Sequence, residues 1–209
     1  MKFRQFSNIG WRVSEIGLGC WAIGSEWGDV SQEDANEVLK TSLDNGINFF
    51  DTADVYGDGR SEQFVGALLK STSEKIYVAT KSGRRLNPHN SEGYNPLNIE
   101  SFIDRSLKNL GVECIDLLQL HCPPSDVCSK KETYEMMDDI VKKGKILHYG
   151  VSVEKVSEAM DAIQFPNVKS IQIIFNMFRQ KPSEEFFKEA AKREVAIIAR
   201  VPLASGLLT

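Results

Sequence analysis

Seven times along this chain, a short apolar run gives way to polar or glycine-rich residues and then, six times, to a helical pattern. The runs cover residues 15–19, 47–50, 76–80, 115–120, 146–151, 171–175 and 196–200. The helical patterns fall at 31–45, 61–69, 96–110, 131–143, 154–163 and 183–193. Regular alternation of this kind calls for parallel strands, because each helix is the crossover that returns the chain to the start of the next strand. Runs such as IDLLQL are nearly unbroken in apolar character, as strands buried on both faces must be. The residues ahead of the first unit, 2–6 and 11–13, flank Ser7-Asn8-Ile9-Gly10 and read as a hairpin able to plug one end of a barrel.

A closed barrel and a doubly wound sheet both satisfy this alternation. The first strand–helix loop, GLGCWAIG, lacks the GxGxxG fingerprint of a dinucleotide-binding sheet. Polar residues recur at successive strand ends, which favours the barrel. A (β/α)8 TIM barrel takes about 250 residues, and this chain has 209. The expectation is therefore an α/β fold: one domain over 1–209 that is an incomplete barrel of about seven strands, lacking the last strand and helices. A chain of this kind reads as part of a longer protein. Local signals set the helix ends. Ser31 with Asp34 resembles a capping box, Gly46 stops the same helix, and Asn95-Pro96 starts another. Ala35, Val38, Leu39, Ser42 and Leu43 form the predicted inward face of the first helix.

Charge and cysteine content exclude several function classes. The net charge of −4 argues against a general nucleic-acid or membrane-surface binder. The N-terminus, MKFRQFSNIGWRVSE, has no signal-peptide apolar run. No stretch reaches the roughly 18 apolar residues of a membrane span, so a cytoplasmic location is expected. The four cysteines form no CxxC pair and the three histidines are scattered, which predicts reduced thiols and no metal centre.

Four residues at or just past strand ends carry the chemical argument: Asp51, Tyr56, Lys81 and His121. On a parallel barrel, one face would gather a carboxylate, a phenol, an ammonium and an imidazole. Lys81 at a strand end needs a carboxylate or a path to solvent, and Asp51 on the neighbouring strand supplies the first. A cation beside Tyr56 is expected to lower its pKa from about 10 and improve it as a proton donor. His121 can orient a carbonyl oxygen or relay a proton.

The segments GLGCW, FFDTADVYGDGRSEQFVGALL, VATK, IDLLQLH, GKILHYGVS, QIIFN and VPLASGLL resemble landmarks of the aldo-keto reductase family in its bacterial form. The resemblance extends over residues 17–209. It implies a (β/α)8 barrel that reduces aldehydes or ketones with NADPH, NADH being the alternative, and without a metal. Asp51, Tyr56, Lys81 and His121 match the family's catalytic tetrad, with Tyr56 as proton donor. Ser152 and Gln172 match the residues that hold the nicotinamide carboxamide. Arg200, Pro202, Leu203, Ser205, Gly206 and Leu207 fall in the matched cofactor segment, where 205–207 are expected to offer backbone N–H groups to phosphate. Trp21 resembles a wall of the substrate pocket, and Trp27 and Phe50 are weaker candidates. Two positions depart from the pattern: Val153 stands where many members have Asn, and Arg200-Val201 precedes the PL segment where many have Tyr. The resemblance further implies a small carbonyl substrate and a monomer, with self-association favoured by an open barrel. The alternatives to an active reductase are a non-catalytic or regulatory cofactor-binding subunit and an inactive fragment of a longer reductase.

Overall fold

The structure is a computed structural model and describes residues 1–24 and 28–209. Trp27 lies outside the described residues. Two strands, β1 (Phe3–Phe6) and β2 (Trp11–Ser14), pair antiparallel across a turn in which Ser7 and Gly10 take positive φ. Seven parallel strands follow in sequence order: β3 (Leu18–Gly19), β4 (Phe49–Asp51), β5 (Tyr77–Ser82), β6 (Ile115–His121), β7 (Ile146–Ser152), β8 (Val168–Ile174) and β9 (Ala196–Arg200). Each strand pairs only with its sequence neighbours, so among the described residues β3 and β9 are the two edges of a curled, open sheet. The helices between them are α1 (Gln32–Asp44), α2 (Arg60–Ser71), α3 (Pro96–Leu110), α4 (Lys131–Lys142), α5 (Val156–Ala162), α6 (Lys181–Glu185) and α7 (Phe187–Lys192).

Two apolar clusters hold these layers. The larger lies between sheet and helices and includes Ile99, Ile103, Leu118, Met137, Ile140, Val151 and Ile171. The smaller fills the N-terminal end of the sheet's concave side, where Phe6, Trp11 and Val13 of the hairpin meet Phe49, Ala79 and Leu117. Trp11 stacks on Tyr77 with ring centroids 4.7 Å apart. Ser14 and Asn48 exchange two hydrogen bonds that pin the hairpin to the start of β4. With one end filled by aromatic rings, the C-terminal ends of the strands remain as the polar face.

Several local expectations hold and some need correction. The hydroxyl of Ser31 accepts from the Asp34 N–H at 3.0 Å, but the Asp34 carboxylate takes the Ser31 hydroxyl proton rather than reaching the cap backbone. Asn95 caps α3 and Gly111 ends it at φ 66°. Val38 is exposed, unlike Ala35, Leu39, Ser42 and Leu43, because it sits on the rim of the apolar stripe. The first strand shrinks to two residues. The predicted helix at 183–193 is two short helices broken at Phe186, which is fully buried at the junction. The strands carrying Lys81, His121 and Ser152 run one or two residues further than their apolar runs. Ladder hydrogen bonding, not hydrophobicity, sets those ends.

Candidate active site

The centre of the polar face is a fully buried ammonium. Lys81, near the end of β5, is 1% exposed and donates to Asp51 Oδ2 at 2.7 Å, to the Thr52 carbonyl at 2.7 Å and to the Tyr56 hydroxyl at 3.2 Å. Those three acceptors match the three N–H bonds of an ammonium, so the buried charge is fully satisfied. Burial works against the Lys81 charge, but Asp51 and Tyr56 raise its pKa above the usual lysine value. The other oxygen of Asp51, Oδ1, accepts from the Gln119 amide at 3.0 Å and the Gln172 amide at 2.9 Å. Strands β4, β5, β6 and β8 therefore converge on one carboxylate.

Tyr56 reaches this cluster from the loop after β4. Its ring lies 4.9 Å from the Lys81 ammonium and 5.9 Å, edge-on, from the His121 ring. The loop is held tightly. Gly57 has φ 56°, and a Cβ there would meet the Gly24 carbonyl oxygen at 2.1 Å. Asp58 adopts φ 53°, a conformation that costs a non-glycine residue energy. Its carboxylate takes Arg85 at 2.5 Å and Arg105 at 2.9 Å. Arg105 also donates to the Asp54 carbonyl at 3.0 Å. Two guanidiniums from β5's loop and α3 thus clamp the segment that carries the phenol.

The expected lowering of the Tyr56 pKa is not what the structure shows. Burial pushes the phenol above its usual value, and the opposing Lys81 charge recovers only part of that rise. A phenolate in a dry cleft is costlier than a cation at 3.2 Å offsets while Asp51 screens that cation. Tyr56 is therefore a neutral phenol beside a ready counter-charge. His121 ends β6 and is 5% exposed. Burial, followed by the charges of Lys81, Arg84 and Arg200, holds its pKa well below the usual histidine value, so the ring is neutral. Its Nδ1 has no hydrogen-bond partner among the described residues.

The matched cofactor residues occupy the next strands. Ser152 at the end of β7 donates to Gln172 Oε1 at 3.2 Å, and both side chains are buried. Gln172 lies inside β8 rather than at its end. Arg200 closes β9, with Nη2 on the Val153 carbonyl at 3.2 Å, Glu154 at 4.0 Å and a buried Nε that has no partner among the described residues. Pro202 and Leu203 lead into a 3-10 turn at Ala204–Gly206. There the N–H groups of Gly206 and Leu207 bond back to Leu203 and Ala204 at 3.1 and 3.3 Å. Tight i→i+3 bonding engages two of the three N–H groups expected to face phosphate, and the Ser205 N–H is not among them. Trp21 lies just past β3 with 42% of its surface exposed, and Phe50 is buried in the main core.

The buried orphan atoms at the strand ends, His121 Nδ1 and Arg200 Nε, fit a site built to receive further polar groups. Sequence reasoning missed Gln119, although a single amide inside the apolar run IDLLQLH was its signal. It also missed the Arg85–Asp58–Arg105 clamp, whose three members are far apart in the chain. Among the described residues, no three His, Cys, Asp or Glu side chains gather as metal ligands, and no helix is long and apolar enough to cross a membrane.

The pattern of the aldo/keto reductase family matches residues 15–209. The uncharacterized oxidoreductase YqkF of Bacillus subtilis is 32% identical over 213 residues, covering all of this chain and 67% of the relative. The Schizosaccharomyces pombe aldo-keto reductase yakc [NADP(+)] is 31% identical over 205 residues, covering 94% of this chain and 60% of the relative. Among solved structures, an aldo-keto reductase from Bacillus halodurans in its holo form superposes with a TM-score of 0.86 at 31% identity, over all of this chain and 69% of that one. The chain thus spans about two thirds of the length of the proteins it matches.

Proposed function

The chain belongs to the aldo/keto reductase family, and on that premise we propose that its polar face reduces an aldehyde or ketone, with Tyr56 as the proton donor. The observation that carries the reading is the contact between the Tyr56 hydroxyl and the buried Lys81 ammonium at 3.2 Å. A nicotinamide cofactor, NADPH in the first instance and NADH as the alternative, would supply the hydride. The name of the yeast relative, which includes NADP(+), supports that order of preference. Ser152 and Gln172 would hold the carboxamide, and Arg200 with the 202–207 turn would lie along the rest of the nucleotide.

The chain's own residues then have distinct tasks. Tyr56 stays protonated at neutral pH, so its proton is available to the oxygen of a carbonyl. Lys81 stands where negative charge develops on the phenol, and fixed charge at that point favours the transition state over the resting site. Asp51 keeps Lys81 charged and in place. His121, being neutral, offers a hydrogen bond to the substrate oxygen without competing as an acid. Trp21 is the proposed apolar wall for the carbonyl compound. The chain is proposed to work as a monomer, with self-association through its open sheet edges as the alternative.

The test is a reduction assay with NADPH or NADH and a series of aldehydes and ketones, with Tyr56→Phe as control. Turnover that falls by about 10²–10⁴ in the variant, with cofactor binding retained, supports the proposal. Saturable cofactor binding with no turnover would replace it with a cofactor-binding subunit. Absence of both cofactor binding and turnover would refute it for this chain.

A further inference from the structure

Gln119 sits where an amide is expensive. It lies in the middle of β6 between Leu118 and Leu120, fully buried, and its Oε1 has no hydrogen-bond partner among the described residues. An apolar side chain of the same size would fill that position with no orphan acceptor. Among the described residues the side-chain amide makes one hydrogen bond, to Asp51 Oδ1 at 3.0 Å. That contact also settles which way the amide faces, since the reverse orientation would set Oε1 against a carboxylate.

We propose that Gln119 is a positioning residue for the reaction: its amide fixes the Asp51 carboxylate in the orientation that turns Oδ2 to Lys81, and Lys81 to Tyr56. The proposal rests on the reductase reading given above. Asp51 Oδ2 holds Lys81 at 2.7 Å while Oδ1 is taken by Gln119 and Gln172. Gln172 is shared, because its own Oε1 also accepts from Ser152. Gln119 has no second hydrogen-bonding task among the described residues. The two amides spread part of the Asp51 charge away from Lys81. Without Gln119, more of that charge faces Lys81 and Tyr56, the ammonium is drawn toward Asp51, and the phenol becomes harder to ionise. Retaining an unsatisfied buried atom for the sake of a reacting group is the expected exchange of stability for function.

The experiment compares the natural chain with Gln119→Met, which keeps length and volume, and with Gln119→Leu as the second variant. Two quantities are read: the thermal midpoint, and the ionisation of Tyr56. The latter is followed by near-ultraviolet tyrosinate absorbance in a stopped-flow pH jump, as the difference from the same chain carrying Tyr56→Phe. The expected result is an upward shift of about half a pH unit or more in Tyr56 ionisation, with an unchanged or higher midpoint. Where the natural chain turns over, its rate should fall about 3- to 10-fold with cofactor affinity kept. An unshifted Tyr56 in a folded variant overturns the proposal. Failure of both variants to fold also overturns it, since the amide would then be a structural support. A shifted Tyr56 in a chain without turnover would sink the reductase reading and the role in the reaction with it, leaving only the hold of Gln119 on Asp51 and Tyr56. Turnover without a shift would keep the reductase reading and overturn the Gln119 assignment.

Discussion

Replacing Asp51 with Asn tests the ion pair that holds the buried Lys81 at the heart of this site. The Lys81 ammonium is 1% exposed, and Asp51 is its one anionic partner among the described residues. A carboxamide has a single acceptor oxygen. It cannot serve Lys81 on one side and the Gln119 and Gln172 amides on the other, so one set of donors loses its acceptor. Breaking a buried pair from one side costs about 3–5 kcal/mol. The cost also has a ceiling, because the buried lysine can shed its proton. From a reference pKa of about 10.4, deprotonation at pH 7 costs about 4.6 kcal/mol at about 1.36 kcal/mol per pH unit. Asp51→Asn should therefore destabilise the chain by about 3–4.6 kcal/mol at pH 7.

The sign of the pH dependence follows from the same argument. In the natural chain Lys81 has a raised pKa, so its contribution is fully present below about pH 10.4 and is lost only above that. In the variant the neutral amine becomes cheaper with every unit of pH, and the deficit should fall below about 2 kcal/mol at pH 9. Urea melts of both chains at pH 7 and pH 9 measure this. A deficit under about 1 kcal/mol at pH 7, or one that does not shrink at pH 9, would refute the claim that Lys81 depends on Asp51 in a dry site.

Three further outcomes are expected. Asp54 is fully buried, both its carboxylate oxygens lack partners among the described residues, and burial followed by the nearby Glu62 raises its pKa to about 7. The folded chain thus loses stability as pH rises from about 4 through 7, and Asp54→Asn should show a thermal advantage that grows across that window and then levels off. His121, whose pKa is depressed by burial and neighbouring cations, should keep unshifted imidazole NMR signals from pH 8 down to about 6.5, below which stability falls as the unfolded state takes up the proton. Arg105→Ala removes three hydrogen bonds from the loop that carries Tyr56. It should lower stability by about 1–3 kcal/mol in denaturant melts and reduce turnover more than it weakens cofactor binding.

The division between what residues reveal and what packing reveals is clear at particular positions. Asn95-Pro96 and Gly111 announced both ends of α3, because capping and positive φ are decided within a few residues. Val38 misled, since periodicity defines a stripe but not the width that neighbours cover. Asp51, Tyr56, Lys81 and His121 were visible because each ends or follows an apolar run, and parallel strands bring such ends to one face. The direction of the Tyr56 shift was not visible. It depends on how much water the fold removes from the phenol, set against how much of the Lys81 charge Asp51 already claims. The 205–207 turn likewise looked open in sequence and is folded back on itself in space.

What the residues determined by themselves was local and repetitive: alternating strands and helices, their caps, and the family to which the motifs belong. Those features depend on near neighbours and on short patterns with few structural solutions. The tertiary structure alone decided which donors share the Asp51 carboxylate, which arginines hold the Tyr56 loop and which groups lose their water. Gln119, Gln172 and Arg105 stand between 47 and 121 residues from the partners they meet. No pattern along the chain encodes such contacts, because they form only when the sheet curls and brings the interior faces of separate strands within hydrogen-bonding distance.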